Sequence, residues 1–371
     1  MSVTKGLEGI VAAASSISSI IDGVLTYRGY NIDDLAENAS FEEVIHLLWY
    51  GKLPNAGELA RLKEQLSEHA PVPEPVIQIL RSAPADAHPM AVLRTAVSAL
   101  ALYDPDAEDM SEAANLRKAI KLQAKLPTIV AAYARIRDGK EPVAPLSGVS
   151  LAHNFLYMLS GSRPDPVAET ALDKALVLHA DHELNASTFA SRVTVATLSD
   201  IYSGVTSAIG ALKGPLHGGA NEGVMAMLEE IGSEDNVEPY IRAKLEARER
   251  IMGFGHRVYK NGDPRAKHLQ KMSLELGKMT GNMTWYNMSV KVEALMNELK
   301  GLKPNVDFYS ASVYTSLGIP RYLFTPIFAM SRVSGWTAHI MEQYADNRLI
   351  RPRAEYVGPT DQKYVPIAER A

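Results

Sequence analysis

The chain has 371 residues, 46% hydrophobic and 22% charged, with a formal net charge of −5 and no cysteine. That is the composition of a globular protein with a large core. It excludes disulfide scaffolds, thiol catalysis and cysteine-based zinc sites, offers no basic face for nucleic acid, and holds no uncharged apolar run long enough to span a membrane.

The N-terminal stretch GIVAAASSISSII imitates the apolar part of an export signal. It is serine-rich, has Glu8 at its edge and leads straight into structural sequence, so it reads as part of the fold. A cytoplasmic location is expected. SSIIDGVLTYRGY, residues 18–30, reads as a small hairpin with Asp22-Gly23 as a type I′ turn. Helix signals follow. Ser40 with Glu43 forms a capping box, and Gly51 and Pro54 mark the end of that helix. Pro89 opens another. Residues 112–139 carry a long helical pattern that Pro127 should kink or divide. The nearly uncharged run 198–214 reads as a helix buried on most sides, in the core or against a partner subunit. Long β-patterned runs are missing, so the fold class is all-α. From about 220 to 320 the chain is more charged, then turns apolar again after Ile319-Pro320. This suggests a second unit inserted into the first.

Five stretches carry reactive side chains. In LHADHELNAST, His179 and His182 stand three apart, a spacing that shares one helix face and raises a metal pair; two hydrogen-bonded histidines at a helix end is the plainer reading. In LKGPLHGGANE, His217 precedes a helix start, where the local field favours a neutral imidazole that donates; the bland alternative is a tight helical corner. GFGHRVYKNGDPR uses two permissive glycines to present His256 and a rigid proline to place Arg265. Asp307 is the only charge between Lys303 and Arg321. It either caps a helix or is held for proton transfer with a raised pKa. Arg332 lies in an apolar run and needs an anionic partner; Arg351, beside Pro352, is a surface ion-pair residue or an anion clamp. Two loop-mounted histidines, an isolated carboxylate and several arginines suit proton transfer next to a carbonyl in a small polycarboxylate.

ADHELNAS, GPLHGGANE, GFGHRVYKNGDPR, PNVDFYS and RPRAEYVGP, in that order, resemble the citrate synthase family, and IDGVLTYRGY extends the likeness over essentially the whole chain. The short form is similar to bacterial and archaeal dimeric members. The resemblance implies a large helical domain from residues 1–220 and 321–371 with a small domain, 221–320, that closes on the CoA side. It implies condensation of acetyl-CoA with oxaloacetate and water to citrate and CoA, with no metal and no cofactor. Asp307 would be the base, His217 the donor to the thioester oxygen, and His256 the group that polarises the ketone. His182, Arg265 and Arg332 would bind oxaloacetate, and Arg351 would reach across a homodimer. Arg257, Lys260 and Lys303 are candidate CoA ligands; His179 receives no role. The rivals are 2-methylcitrate synthase, with propionyl-CoA as donor, a metal hydrolase built on His179 and His182, and a non-catalytic helical interaction protein.

Overall fold

Asp22 and Gly23 have φ of 52° and 79°, the left-handed pair that a type I′ turn requires. The turn joins β1 (Ser18–Ile21) to β2 (Val24–Tyr27), with Ser18 opposite Tyr27 and Ile21 opposite Val24. A third short strand, β3 (Tyr30–Asn31), completes a sheet of order β1-β2-β3 that the sequence did not announce. The computed structural model describes residues 5–7, 9–256, 258–259 and 262–370.

All else that is regular is helical. The first half carries α1 (Ile32–Asn38), α2 (Phe41–Tyr50), α3 (Ala56–His69), α4 (Glu74–Ser82), α5 (Pro89–Leu100), α6 (Glu112–Arg137), α7 (Leu151–Ser160) and α8 (Pro166–His179). The second carries α9 (Ala186–Val195), α10 (Ile201–Leu212), α11 (Ala220–Ile231), α12 (Val237–Glu246), α13 (Ala266–Thr280), α14 (Thr284–Lys300), α15 (Val306–Ser316) and α16 (Phe324–Ala345). Local chemistry sets many of the boundaries. Ser40 accepts from the Glu43 N–H while Glu43 reaches back to the Ser40 N–H, and Gly51 closes α2 in the left-handed region.

Pro127 does not divide its helix: α6 runs unbroken over 26 residues. Interior proline costs roughly 3 kcal/mol. Here Leu126, Ile129, Val130 and Ala131 around it are all buried, and α6 packs on α3, α4, α5, α7 and α16. That burial outweighs one lost backbone bond.

The core is organised around α16, which touches α2, α5, α6, α8, α9, α10 and α11. A Cβ at Gly335 would stand 2.4 Å from both the Ala180 carbonyl and Asp181 Oδ1. Only glycine lets α16 pass the corner after α8 so closely, and this brings Arg332 and Trp336 up to that corner. Helices α11, α13 and α14 pack on α15, and α12 packs on α14; this group meets the rest through α8 and α16. No described helix is long and apolar enough to cross a membrane.

Candidate active site

The corner between α8 and α9 sets the first histidines. α8 stops at His179, Glu183 takes φ of 46°, and Asn185 caps α9 by accepting from the Thr188 N–H at 3.1 Å. His182 therefore lies in a turn, and the helix face that the three-residue spacing suggested does not exist. His179 is fully buried, its Nδ1 2.7 Å from the Ala175 carbonyl. Burial pushes it down to about 3, so the ring is neutral. His182 lies deep in the fold, with Nε2 3.0 Å from the Tyr259 hydroxyl. Burial, then the Arg265 and Arg332 charges, hold it well below the usual histidine range. Among the described residues no group of three or more His, Asp or Glu is arranged to hold a metal ion. A second buried chain stiffens the corner. Arg192 donates to His339 Nδ1 at 3.0 Å, so His339 Nε2–H donates to Asp181 Oδ2 at 3.2 Å, which also receives the Ser18 hydroxyl.

His217 sits in the turn between α10 and α11. Its N–H bonds the Gly214 carbonyl at 2.9 Å and the Gly218 N–H bonds Leu212 at 3.0 Å. A Cβ on Gly218 would meet the Leu212 oxygen at 2.6 Å, so this turn depends on glycine. The Ser187 N–H donates to His217 Nε2 at 3.3 Å; the Ser187 hydroxyl, 2.8 Å from the same nitrogen, gives its proton to Asn185 Oδ1 at 2.8 Å. A backbone N–H can only donate, so Nε2 is the acceptor and the ring proton stands on Nδ1. Burial, then Arg332, pushes this imidazole down to about 4. The ring is therefore neutral, through burial and the Arg332 charge, with its N–H on Nδ1.

The loop carrying His256 is clamped to the start of α15. Gly255 N–H donates to the Lys303 carbonyl at 3.3 Å, Asn305 N–H to Gly253 at 2.9 Å, and Asn305 Nδ2 to Gly255 at 3.0 Å. Gly253 and Gly255 have φ of 81° and 78°, and a Cβ at Gly253 would lie 2.8 Å from the Phe308 ring. His256 Nδ1 accepts from the Val258 and Tyr259 N–H groups at 3.0 and 3.3 Å. Its proton is thus on Nε2, the mirror of His217. Burial, then Arg265, pushes it down to about 4.

Asp307 does not cap α15. Asn305 does, accepting from the Asp307 N–H at 3.0 Å. Asp307 Oδ1 is buried without a hydrogen-bond partner among the described residues. Burial raises the carboxyl to about 7, against the lowering pull of Arg265. A first-turn carboxylate at a helix N-terminus is ordinarily favoured as the anion; desolvation wins here.

The arginines differ. Arg265, 2% exposed, is forked onto Asp263, Nε to Oδ1 at 2.9 Å and Nη2 to Oδ2 at 2.7 Å. Asp263 Oδ2 also accepts from the Val306 N–H at 3.0 Å, tying the guanidinium to the first turn of α15. Arg332, 1% exposed, donates Nε to the His179 carbonyl at 2.7 Å and lies 4.7 Å over the Phe328 ring. It has no carboxylate partner among the described residues, and burial lowers it to about 10. An unpaired buried guanidinium is an anion site in waiting.

His182, His256, Arg265, Arg332, His217 and Asp307 thus share one region. The imidazoles of His182 and His256 are 5.3 Å apart, His217 and Arg332 face the same Phe328 ring, and the Arg265 charge reaches Asp307, His182 and His256. Arg351 is not among them. It is exposed, in the extended segment after α16. Lys303 is exposed beside the His256 loop; Arg257 and Lys260 lie outside the described residues. Sequence reading missed Ser187, Asp263 as the partner of Arg265, Trp336, whose indole N–H donates to Ser187 Oγ at 3.0 Å, and Tyr259. Ser187, Tyr259 and Asp263 lay within stretches already singled out.

Fold and site define an all-α protein with a buried centre of neutral imidazoles, a raised carboxyl group and two buried guanidiniums. The chain belongs to the citrate synthase family: the family description "Citrate synthase, C-terminal domain" matches residues 6–353. Citrate synthase 2 of Bacillus subtilis (strain 168) is 64% identical over 372 residues, covering 100% of each chain. A 2-methylcitrate synthase of Mycobacterium tuberculosis (strain ATCC 25618 / H37Rv) is 45% identical over 366 residues, 98% of this chain and 92% of that one. The citrate synthase of Thermoplasma acidophilum, solved in ternary complex with carboxymethyl coenzyme A and oxaloacetate, superposes with a TM-score of 0.93 at 37% identity over 100% of both chains.

Proposed function

We propose that the protein condenses acetyl-CoA with oxaloacetate and water to give citrate and free CoA, with Asp307, His217 and His256 as the acting groups. The observation that carries this assignment is Asp307: its Oδ1 is buried without a hydrogen-bond partner among the described residues, and burial raises the carboxyl to about 7. A carboxylate so placed is a base matched to neutral pH.

Asp307 takes a proton from the acetyl methyl. The thioester oxygen gains charge, and His217 Nδ1–H donates to it. The enol carbon attacks the oxaloacetate ketone, whose oxygen accepts from His256 Nε2–H and ends as a hydroxyl. Water then cleaves the C–S bond of citryl-CoA, and CoA leaves as the thiol. Carboxylates of oxaloacetate would pair with Arg332 and with the free edge of Arg265, and His182 would hydrogen-bond the same substrate. Lys303, at the rim, suits a CoA phosphate. Residues 221–320 would form the smaller, closing unit, a reading supported by the mutual packing of α11 to α15. Arg351 would complete the site of a second copy. Its exposure in the segment after α16 supports this, and an active monomer by sedimentation would rule it out.

Thiol release tests the reading. CoA should appear with acetyl-CoA plus oxaloacetate, and kcat/KM should be higher for acetyl-CoA than for propionyl-CoA. One methylene is worth about 1–3 kcal/mol of discrimination. A propionyl preference would make the enzyme a 2-methylcitrate synthase, and no thiol with either donor would end the condensation reading.

A further inference from the structure

Tyr259 touches both of the neighbouring histidines. Its N–H lies 3.3 Å from His256 Nδ1 and its hydroxyl 3.0 Å from His182 Nε2. Its ring centroid is 4.5 Å from that of His256 and 5.5 Å from that of His182. Tyr259 is only 4% exposed. Burial raises its phenol far above the ordinary range, so the group stays protonated. A buried O–H needs an acceptor. Among the described residues His182 Nε2 is the one it has, so the phenol donates and Nε2 accepts. A neutral imidazole carries a single N–H, and that of His182 is left on Nδ1.

We propose that Tyr259 is a positioning residue that sets the tautomer and the aim of His182 while its ring and backbone hold His256. Each imidazole then presents one N–H, Nδ1–H from His182 and Nε2–H from His256, to a single oxygen-rich substrate. This rests on the reading that the cleft takes oxaloacetate. Without the phenol proton, His182 can place its hydrogen on either nitrogen, and the fraction aimed correctly falls.

Tyr259→Phe keeps the ring against both imidazoles and removes only the hydroxyl. The KM for oxaloacetate should rise about tenfold, equivalent to about 1.4 kcal/mol, with kcat little changed and the urea midpoint unmoved. Nitrogen-15 spectra of histidine-labelled, substrate-free enzyme give a readout that purely structural damage would not produce. The His182 signals, assigned by their loss in His182→Asn, should show the Nδ1–H form in the native enzyme and a mixture in Tyr259→Phe. An Nε2–H form in the native enzyme would overturn the proposal. So would a Tyr259→Phe variant with unchanged KM and spectrum, or one that loses affinity only together with folding stability. The tautomer is read without turnover, so failure of this inference and failure of the condensation reading are separate results.

Discussion

Asp307→Asn is expected to lower kcat by about 10²–10⁴-fold, the range for loss of a positioned general base, while the chain stays folded. The side chain keeps its size, and the helix keeps its cap because Asn305, not Asp307, accepts the first-turn N–H. Stability gives the assignment a second edge. The carboxyl is raised in the folded state to about 7 from an ordinary 3.8. The folded chain therefore binds this proton more tightly than the unfolded chain, and its contribution to stability is lost as pH rises from about 4 to 7. The amide has no such loss, so at about pH 8 the variant's urea midpoint should equal or exceed that of the native protein. A kcat within a few-fold of native would remove Asp307 as the base. A fall in kcat accompanied by a lower midpoint would mean that folding, not chemistry, was damaged.

His217→Ala is expected to lower kcat by about 10²–10³-fold, with KM for acetyl-CoA changed little, as when one oxyanion donor is removed. The thioester oxygen is a weak acceptor in the bound substrate and a strong one as the enol forms. A donor fixed in place therefore acts mostly in the transition state. Both halves of that donor are visible: the Ser187 backbone N–H occupies Nε2, leaving the proton on Nδ1, and burial with Arg332 nearby keeps the ring neutral. Steady-state kinetics separate the outcomes. A raised KM with native kcat would make His217 a substrate contact rather than a charge-stabilising donor.

What the sequence reveals and what it conceals divide along the range of the interactions. The Asp22-Gly23 turn and the Ser40–Glu43 box are written in two to four adjacent residues, and both appear in the structure as read. So does His217 in a glycine turn before a helix. Pro127 does not divide α6, because propensity is a local cost and α6 is held by the helices packed around it. The pair His179 and His182 misleads for a different reason. Spacing implies a shared face only if the helix continues, and here it stops at His179. The unread contributors act at a distance. Trp336 reaches Ser187 across 149 positions and Tyr259 reaches His182 across 77. Nothing in a local pattern marks an indole or a phenol as a hydrogen-bond anchor rather than core. The glycine at 335, which decides how close α16 comes to the Ala180 corner, is equally silent until the helix is laid against it.

The most direct test of the proton-transfer step is the pH dependence of kcat/KM for acetyl-CoA at saturating oxaloacetate, taken between about pH 5 and 9. A base works only when deprotonated, and Asp307 is raised to about 7 while His217 and His256 are neutral above about 4. Activity should therefore fall on the acid side with a midpoint near 7, and that limb should vanish in Asp307→Asn. A native profile that stays flat down to about pH 5, or a limb that survives the substitution, would contradict a buried carboxylate as the group that starts the reaction.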